Sequence, residues 1–222
     1  MNAPNSMPIA DFNFQPVHLF SDEIFYPSTD PNAMPETDLH FKLIANLVLI
    51  LETFLSERKN VHVSGDLMFY YKEGEPRKFV APDVMVCFGV DKEPRRVYKL
   101  WDEKIVPSVI IELASESTWF KDVSTKMALY QQLGVKEYFI FDPEYKYLPA
   151  ALIAYRLEDG GYVEVEIENK RVFSRALELF LVDTGETLRL FNPQTNAFLQ
   201  TMEEMATELA ELKRQTSNES AR

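Results

Sequence analysis

Leu39, Leu43, Leu47, Leu51 and Phe54 recur at intervals of four and three, with Ile44, Val48, Ile50 and Leu55 beside them. That spacing predicts a heavily packed helix from about Asp38 to Glu57, with Thr37 or Asp38 placed to cap its free amides. The pattern then shortens to strand-like runs. Val61 to Tyr71 predicts a first strand, followed by a turn at Gly74-Glu75-Pro76, and Phe79 to Phe88 a second. Residues 89 to 105 are charged and predict a loop. Pro107 to Leu113 is apolar enough for a central strand. A helix from about Lys121 to Leu133 is stopped by Gly134, and Glu137 to Phe141 forms a fourth strand ended by Asp142-Pro143.

Ala151 to Leu157 and Tyr162 to Ile167 alternate around Gly160-Gly161, a hairpin signature. Leu177 to Val182 and Thr187 to Phe191 add short strands. The last element is a polar helix from about Thr201 to Gln215, with a narrow seam of Met202, Met205, Leu209 and Leu212. It is too short to stand alone as a coiled coil, so it docks on the body, pairs with a second copy, or frays. There is no internal repeat.

The order helix-strand-strand-strand-helix-strand predicts an α/β fold, a mixed β-sheet flanked by helices. Residues 1 to 35 hold six of the thirteen prolines, Pro4, Pro8, Pro16, Pro27, Pro31 and Pro35. They predict an extended N-terminal arm, either partly docked on the body through its apolar residues or a disordered leader. The expected division is an arm over 1–35, a main domain over 36–192 and a C-terminal helical tail over 193–222.

Composition bounds the function. With 222 residues, 46% of them hydrophobic, the chain can bury a sizeable core. One cysteine, Cys87, excludes an internal disulfide and points to a reducing compartment. No apolar stretch is long enough for a bilayer and no basic-then-apolar leader is visible, so a cytoplasmic protein without a membrane partner is expected. The net charge of -12 and pI near 4.8 count against a broad phosphate-binding surface. A local basic stripe or a bound metal ion can still bring a phosphate in.

Three polar residues stand where apolar ones would be expected. Asp83 interrupts the run from Phe79 to Phe88, Glu112 follows Val109-Ile110-Ile111, and Lys126 lies on the next helix. Taken singly, each has a bland reading: Asp83 caps a loop, Glu112 marks the end of a strand, and Lys126 is an exposed helix lysine. Together they say more. The two acids lie on strands that can be neighbours, and the helix after Glu112 starts near that strand's end. Asp122, Lys126 and Tyr130, spaced i, i+4 and i+8, share one face, with Leu129 and Leu133 expected to pack inward. Two carboxylates suit Mg2+ (or Mn2+), and an ammonium beside them can orient a water and counter charge on a phosphate.

Other chemistries lack their signals. His18, His40 and His62 are scattered and there is no Cys pair, which argues against zinc. There is no G-x-S-x-G elbow, Walker loop or G-x-G-x-x-G. Cys87 reads as a small core residue. Trp101 and Trp119 either stack on bases or pack under loops. Lys92, Arg95, Arg96, Lys99 and Lys104 either contact a phosphate backbone or form a solvated loop balanced by Asp91, Glu93, Asp102 and Glu103.

Pro82-Asp83, Val109-Ile110-Ile111-Glu112-Leu113-Ala114-Ser115, Asp122, Lys126, Tyr130, Gly134-Val135, Glu137-Tyr138 and Asp142-Pro143 resemble the Uma2 family. So does Met34-Pro35-Glu36-Thr37-Asp38-Leu39-His40, and the likeness spans roughly residues 34 to 165. That family consists of restriction-endonuclease-like proteins of the PD-(D/E)xK nuclease superfamily. The resemblance implies a restriction-endonuclease-like core. It implies Asp83 and Glu112 as the two metal-binding acids, with the main-chain carbonyl of Leu113 as a further metal ligand. Ala114 occupies the position of the usual superfamily lysine, and the resemblance moves that role to Lys126. Asp122, Tyr130 and His40 are the supporting candidates.

The reading is a Mg2+-dependent endonuclease hydrolysing DNA, with Asp83, Glu112 and Lys126 catalytic. A homodimer is compatible with cutting two strands. The alternative is a catalytically inactive nuclease-fold protein that serves as a binding or assembly module.

Overall fold

The structure, a computed structural model, describes residues 24–30 and 37–220. Helix α1 (Asp38–Phe54) opens on Thr37, whose side chain accepts from the His40 amide at 3.3 Å. Its buried face is His40, Leu43, Ile44, Leu47, Ile50 and Leu51. Leu39, expected on that face, is 45% exposed. Each i, i+4 step overshoots a full turn by about 40°, so the line through Leu51, Leu47 and Leu43 has drifted off the core by Leu39, and His40 takes the inward position.

The chain continues through β1 (Val61–Ser64), β2 (Phe69–Tyr70), β3 (Phe79–Val80), β4 (Val84–Phe88), β5 (Tyr98–Lys99), α2 (Leu100–Glu103) and β6 (Val109–Leu113). A composite helix follows: α3 (Trp119–Lys121), a π-helical turn (Asp122–Lys126) and α4 (Met127–Leu133). Then come β7 (Glu137–Phe141), β8 (Leu152–Glu158), β9 (Gly161–Glu164), β10 (Arg171–Ser174), β11 (Leu179–Asp183), β12 (Leu188–Asn192), β13 (Ala197–Phe198) and α5 (Met202–Ser220).

The main sheet has the order β1-β4-β6-β7-β8-β9. Its centre, β6 against β7, is parallel and joined by the composite helix, while the other pairs are antiparallel. Both central strands are wholly buried, as strands covered on both faces must be. Leu43, Leu47 and Leu51 of α1 share one core with Val84, Val86, Val109, Ile111 and Leu113. Tyr130 and Val135 cover the opposite face with Ile110, Ala114, Tyr138 and Ile140. Alternation along β6 therefore sends Glu112 to the α4 side, between Ile110 and Ala114. The fold is the expected mixed α/β arrangement.

Two predicted strands are each broken in two. The run from Val61 breaks at Gly65-Asp66, where Asp66 has φ +51°. The run from Phe79 breaks at Pro82, which has no N–H for a ladder. The short pieces β2 and β3, with β5 from the 89–105 segment, form a second, three-stranded sheet in the order β3-β2-β5. The segment 89–105, expected as a loop, carries β5 and α2 instead, and Arg95 gathers it. Its guanidinium bonds Glu103 at 2.6 Å, Asp91 Oδ1 at 2.7 Å and the Glu93 carbonyl at 2.7 Å.

A third sheet, β10-β11-β12-β13, follows; β10 and β13 are too short and polar to be read from pattern. Glu137 of β7 ties it to the main sheet, accepting from Ser174 Oγ (2.5 Å) and from the amides of Arg175 (2.8 Å) and Ala176 (3.1 Å). Asp142 caps the following loop, accepting from the amides of Glu144, Lys146, Tyr147 and Leu148.

Most of the expected N-terminal arm lies outside the described residues. Within 24–30, Tyr26 packs on Tyr70 and Trp101 at 5.0 Å each, and Tyr70 donates to the Pro27 carbonyl at 2.6 Å. Among the described residues no helix is long and apolar enough to cross a membrane.

Candidate active site

Asp83 sits in the short link between Pro82 and β4, propped from outside by the turn after β1. The Asp66 amide donates to the Pro82 carbonyl at 3.0 Å. Gly65 approaches so closely that a Cβ there would lie 3.0 Å from the Asp83 carbonyl oxygen and 2.9 Å from Ile44. Only glycine fits that contact without displacing the Asp83 backbone.

The two acids are locked reciprocally. Asp83 Oδ2 accepts from the Leu113 amide at 2.5 Å, and Glu112 Oε2 accepts from the Asp83 amide at 3.2 Å. Glu112 Oε1 accepts from the Tyr130 hydroxyl at 2.6 Å. His40 Nε2 lies 3.5 Å from Asp83 Oδ2, bringing α1 into the cluster. Lys126 Nζ stands 3.0 Å from Glu112 Oε2 and 3.0 Å from Asp122 Oδ1. Asp83, Glu112, Lys126, Asp122, Tyr130 and His40 are thus brought to one place.

The π turn positions the last part of this cluster. Its i→i+5 bonding widens the helix where Lys126 meets both Asp122 and Glu112. Asp122 is 1% exposed and Tyr130 fully buried, whereas Leu129 and Leu133 are only half-buried. Leu133 still packs against the core that includes Met85 and Cys87, as expected, whereas Leu129 joins no core among the described residues and that part of the expectation is corrected. The polar face is the inner one, because Glu112 on the sheet below supplies its partner. Tyr138 is a further member that the pattern did not single out. Its hydroxyl donates to the Asp122 carbonyl at 2.9 Å and supports the π turn from β7. Parallel register could have found it, since Glu112 lies opposite Ile140 and Tyr138 shares that face.

Three buried acids surround one ammonium. Burial, together with the neighbouring Asp83 and Asp122 carboxylates, outweighs Lys126 and pushes the Glu112 carboxyl up to about 8. Burial raises Asp122 as well, against the pull of Lys126. For Lys126, burial alone would lower the pKa. Glu112, Asp122 and Asp83 reverse that and hold it above the usual lysine range. The lysine is a fixed cation, and the cost of crowding falls on the acids.

One feature fits a small, oxygen-seeking cation, and it concerns Leu113. The amide of Ala114 bonds Phe141 on β7, so by strand alternation the amide and carbonyl of Leu113 face the Asp83 side. Pro82, opposite, has no N–H to offer that carbonyl. Among the described residues no three His, Cys, Asp or Glu side chains converge as a ready metal cluster.

The basic cluster of 92–104 is mostly engaged in the fold. Besides Arg95, Lys92 donates to the Leu55 and Ser56 carbonyls at 3.0 and 2.5 Å, and Lys99 lies over the Tyr26 ring. Trp101 packs on Tyr26, while Trp119 is 36% exposed beside Phe120. Cys87 is buried, its thiol pushed up to about 12 by burial.

A family model described as "Putative restriction endonuclease", Uma2, matches residues 28–184. Among solved structures, the chain is similar to one described as a "putative nuclease belonging to DUF820" from Anabaena variabilis ATCC 29413. The two are 14% identical, with a TM-score of 0.48, covering 65% of this chain and 76% of that one. No curated protein matches. The family model spans most of the chain and all of the clustered residues, and the chain belongs to the Uma2 family.

Proposed function

We propose that this protein is a divalent-metal-dependent endonuclease that hydrolyses DNA phosphodiester bonds. The observation that carries the reading is Lys126 Nζ, 3.0 Å from both Glu112 and Asp122, beside an Asp83 that is locked to Glu112. Membership of a family described as restriction endonucleases supports it. Asp83, Glu112 and the Leu113 carbonyl would hold Mg2+ or Mn2+. When bound, the ion lowers the pKa of a coordinated water and polarises the phosphoryl group.

The side chains supply the rest. Lys126, protonated throughout the neutral range, orients a water and counters charge on the phosphate; in this state it has no lone pair with which to act as a base. Asp122 and Glu112 fix the ammonium, Tyr130 fixes Glu112 through Oε1, and His40 steadies Asp83. The net charge of -12 and Ala114 at the usual superfamily lysine position favour the alternative of an inactive binding or assembly module.

The test is cleavage. Purified protein should nick and linearise supercoiled plasmid in Mg2+ or Mn2+, and a chelator should stop it. DNA binding with no metal-dependent cleavage would replace this reading with the module.

A further inference from the structure

Along α5, Met202, Met205, Leu209, Leu212 and Thr216 follow at alternating steps of three and four. The body holds the start of the helix, and α5 also approaches α1. Arg189 bonds Glu204 at 2.9 Å, Gln200 bonds Glu208 at 2.5 Å, and Met205 is half-buried. Beyond it, Leu209 and Leu212 stand 52% and 50% exposed.

The seam is two residues wide per heptad, narrower than the face a helix needs to dock on a globular core. A strict 3.5-residue repeat matches another helix carrying the same repeat. With Met202 and Leu209 at a and Met205 and Leu212 at d, Glu208 falls at g and Lys213 at e. A parallel pair sets Glu208 of each copy against Lys213 of the other, two attractive contacts. An antiparallel pair brings g against g and e against e, where acid never meets base.

We propose that α5 is a self-association element, pairing in parallel with α5 of a second copy of this chain. The exposed Gln200–Glu208 bond is exchanged for the pair with Lys213. A helix of 19 residues is too short to pair strongly by itself, so association depends on concentration. Parallel pairing keeps both bodies at one end, which sets two candidate sites side by side. That consequence rests on the nuclease reading, whereas the pairing does not.

Sedimentation of the full chain tests it. The mass should rise from 25.7 kDa toward twice that as concentration passes through the micromolar range. Leu209→Glu with Leu212→Glu should hold it at the monomer without changing the melting of the body. Because Cys87 is buried, an introduced cysteine is the reactive thiol. Leu212→Cys should cross-link two chains under mild oxidation, and Glu211→Cys, on the outer face, should not. Glu208→Lys should weaken association at least about tenfold, and adding Lys213→Glu should restore it. A single mass at every concentration would overturn the proposal. So would association indifferent to Leu209 and Leu212, or equal cross-linking at positions 211 and 212.

Discussion

Replacing Lys126 with methionine should cut metal-dependent DNA cleavage on the order of 10² to 10³-fold and cost about 3–5 kcal/mol of stability near pH 8. Methionine keeps most of the volume, so the loss is electrostatic. Lys126 is the only cation within 3.0 Å of Glu112 and Asp122 among the described residues. Without it, buried carboxylates are left unbalanced and must take up protons.

The sign of the pH effect follows. Glu112 and Asp122 have raised pKa values in the fold. Between the ordinary carboxylate range and about 8 the folded state therefore binds more protons than the unfolded chain. Stability in the wild type falls as pH rises through that window. Losing the ammonium raises the carboxyls further, so the fall becomes steeper and the deficit at pH 5 is smaller than at pH 8. Lys126 is raised too, so its own contribution is complete below about 10.5 and fades above it. Urea denaturation at pH 5 and pH 8 reads both slopes. A variant within about 1 kcal/mol of wild type at both values, with an unchanged slope, would mean the cluster is not charge-coupled as described.

Glu137→Ala should be the most destabilising single change outside the site, at about 3–5 kcal/mol. Glu137 is 3% exposed and joins two sheets. Its removal leaves the amides of Arg175 and Ala176 and the Ser174 hydroxyl without their acceptor, and takes the carboxylate partner from Arg156, 3.5 Å away. Glu137→Gln keeps one carboxamide oxygen and should cost about 1–2 kcal/mol. Denaturant midpoints of the two variants decide it. An alanine variant less affected than the glutamine one would show that the sheets are held by apolar packing alone.

These residues mark what was legible in the sequence. α1, β6, the helix after it and β7 are strongly periodic or continuously apolar, and they appear close to where expected. Asp83, Glu112 and Lys126 were visible because charge in an apolar run is conspicuous. Their support was less visible. Gly65 matters through a contact with the Asp83 carbonyl that only tertiary structure creates. The π turn depends on tertiary contacts such as Tyr138 beneath Asp122, which spacing does not encode. Glu137 and Asp142 belong to the same motif as the candidate site, yet they bond backbone amides of later segments. The strands that broke did so at Gly65-Asp66 and Pro82, signals present in the sequence but outweighed by the apolar runs around them.

Calorimetric titration of Mg2+ into the wild type and Asp83→Asn reads whether Asp83 and Glu112 hold the proposed divalent ion. Asparagine retains an oxygen for the Leu113 amide, so the fold is kept while the charge is removed. The wild type should bind at about millimolar affinity or tighter, releasing protons near neutral pH as the ion displaces them from Glu112, and the variant should bind at least about tenfold more weakly. Identical isotherms, or no binding heat from either protein, would contradict that proposal.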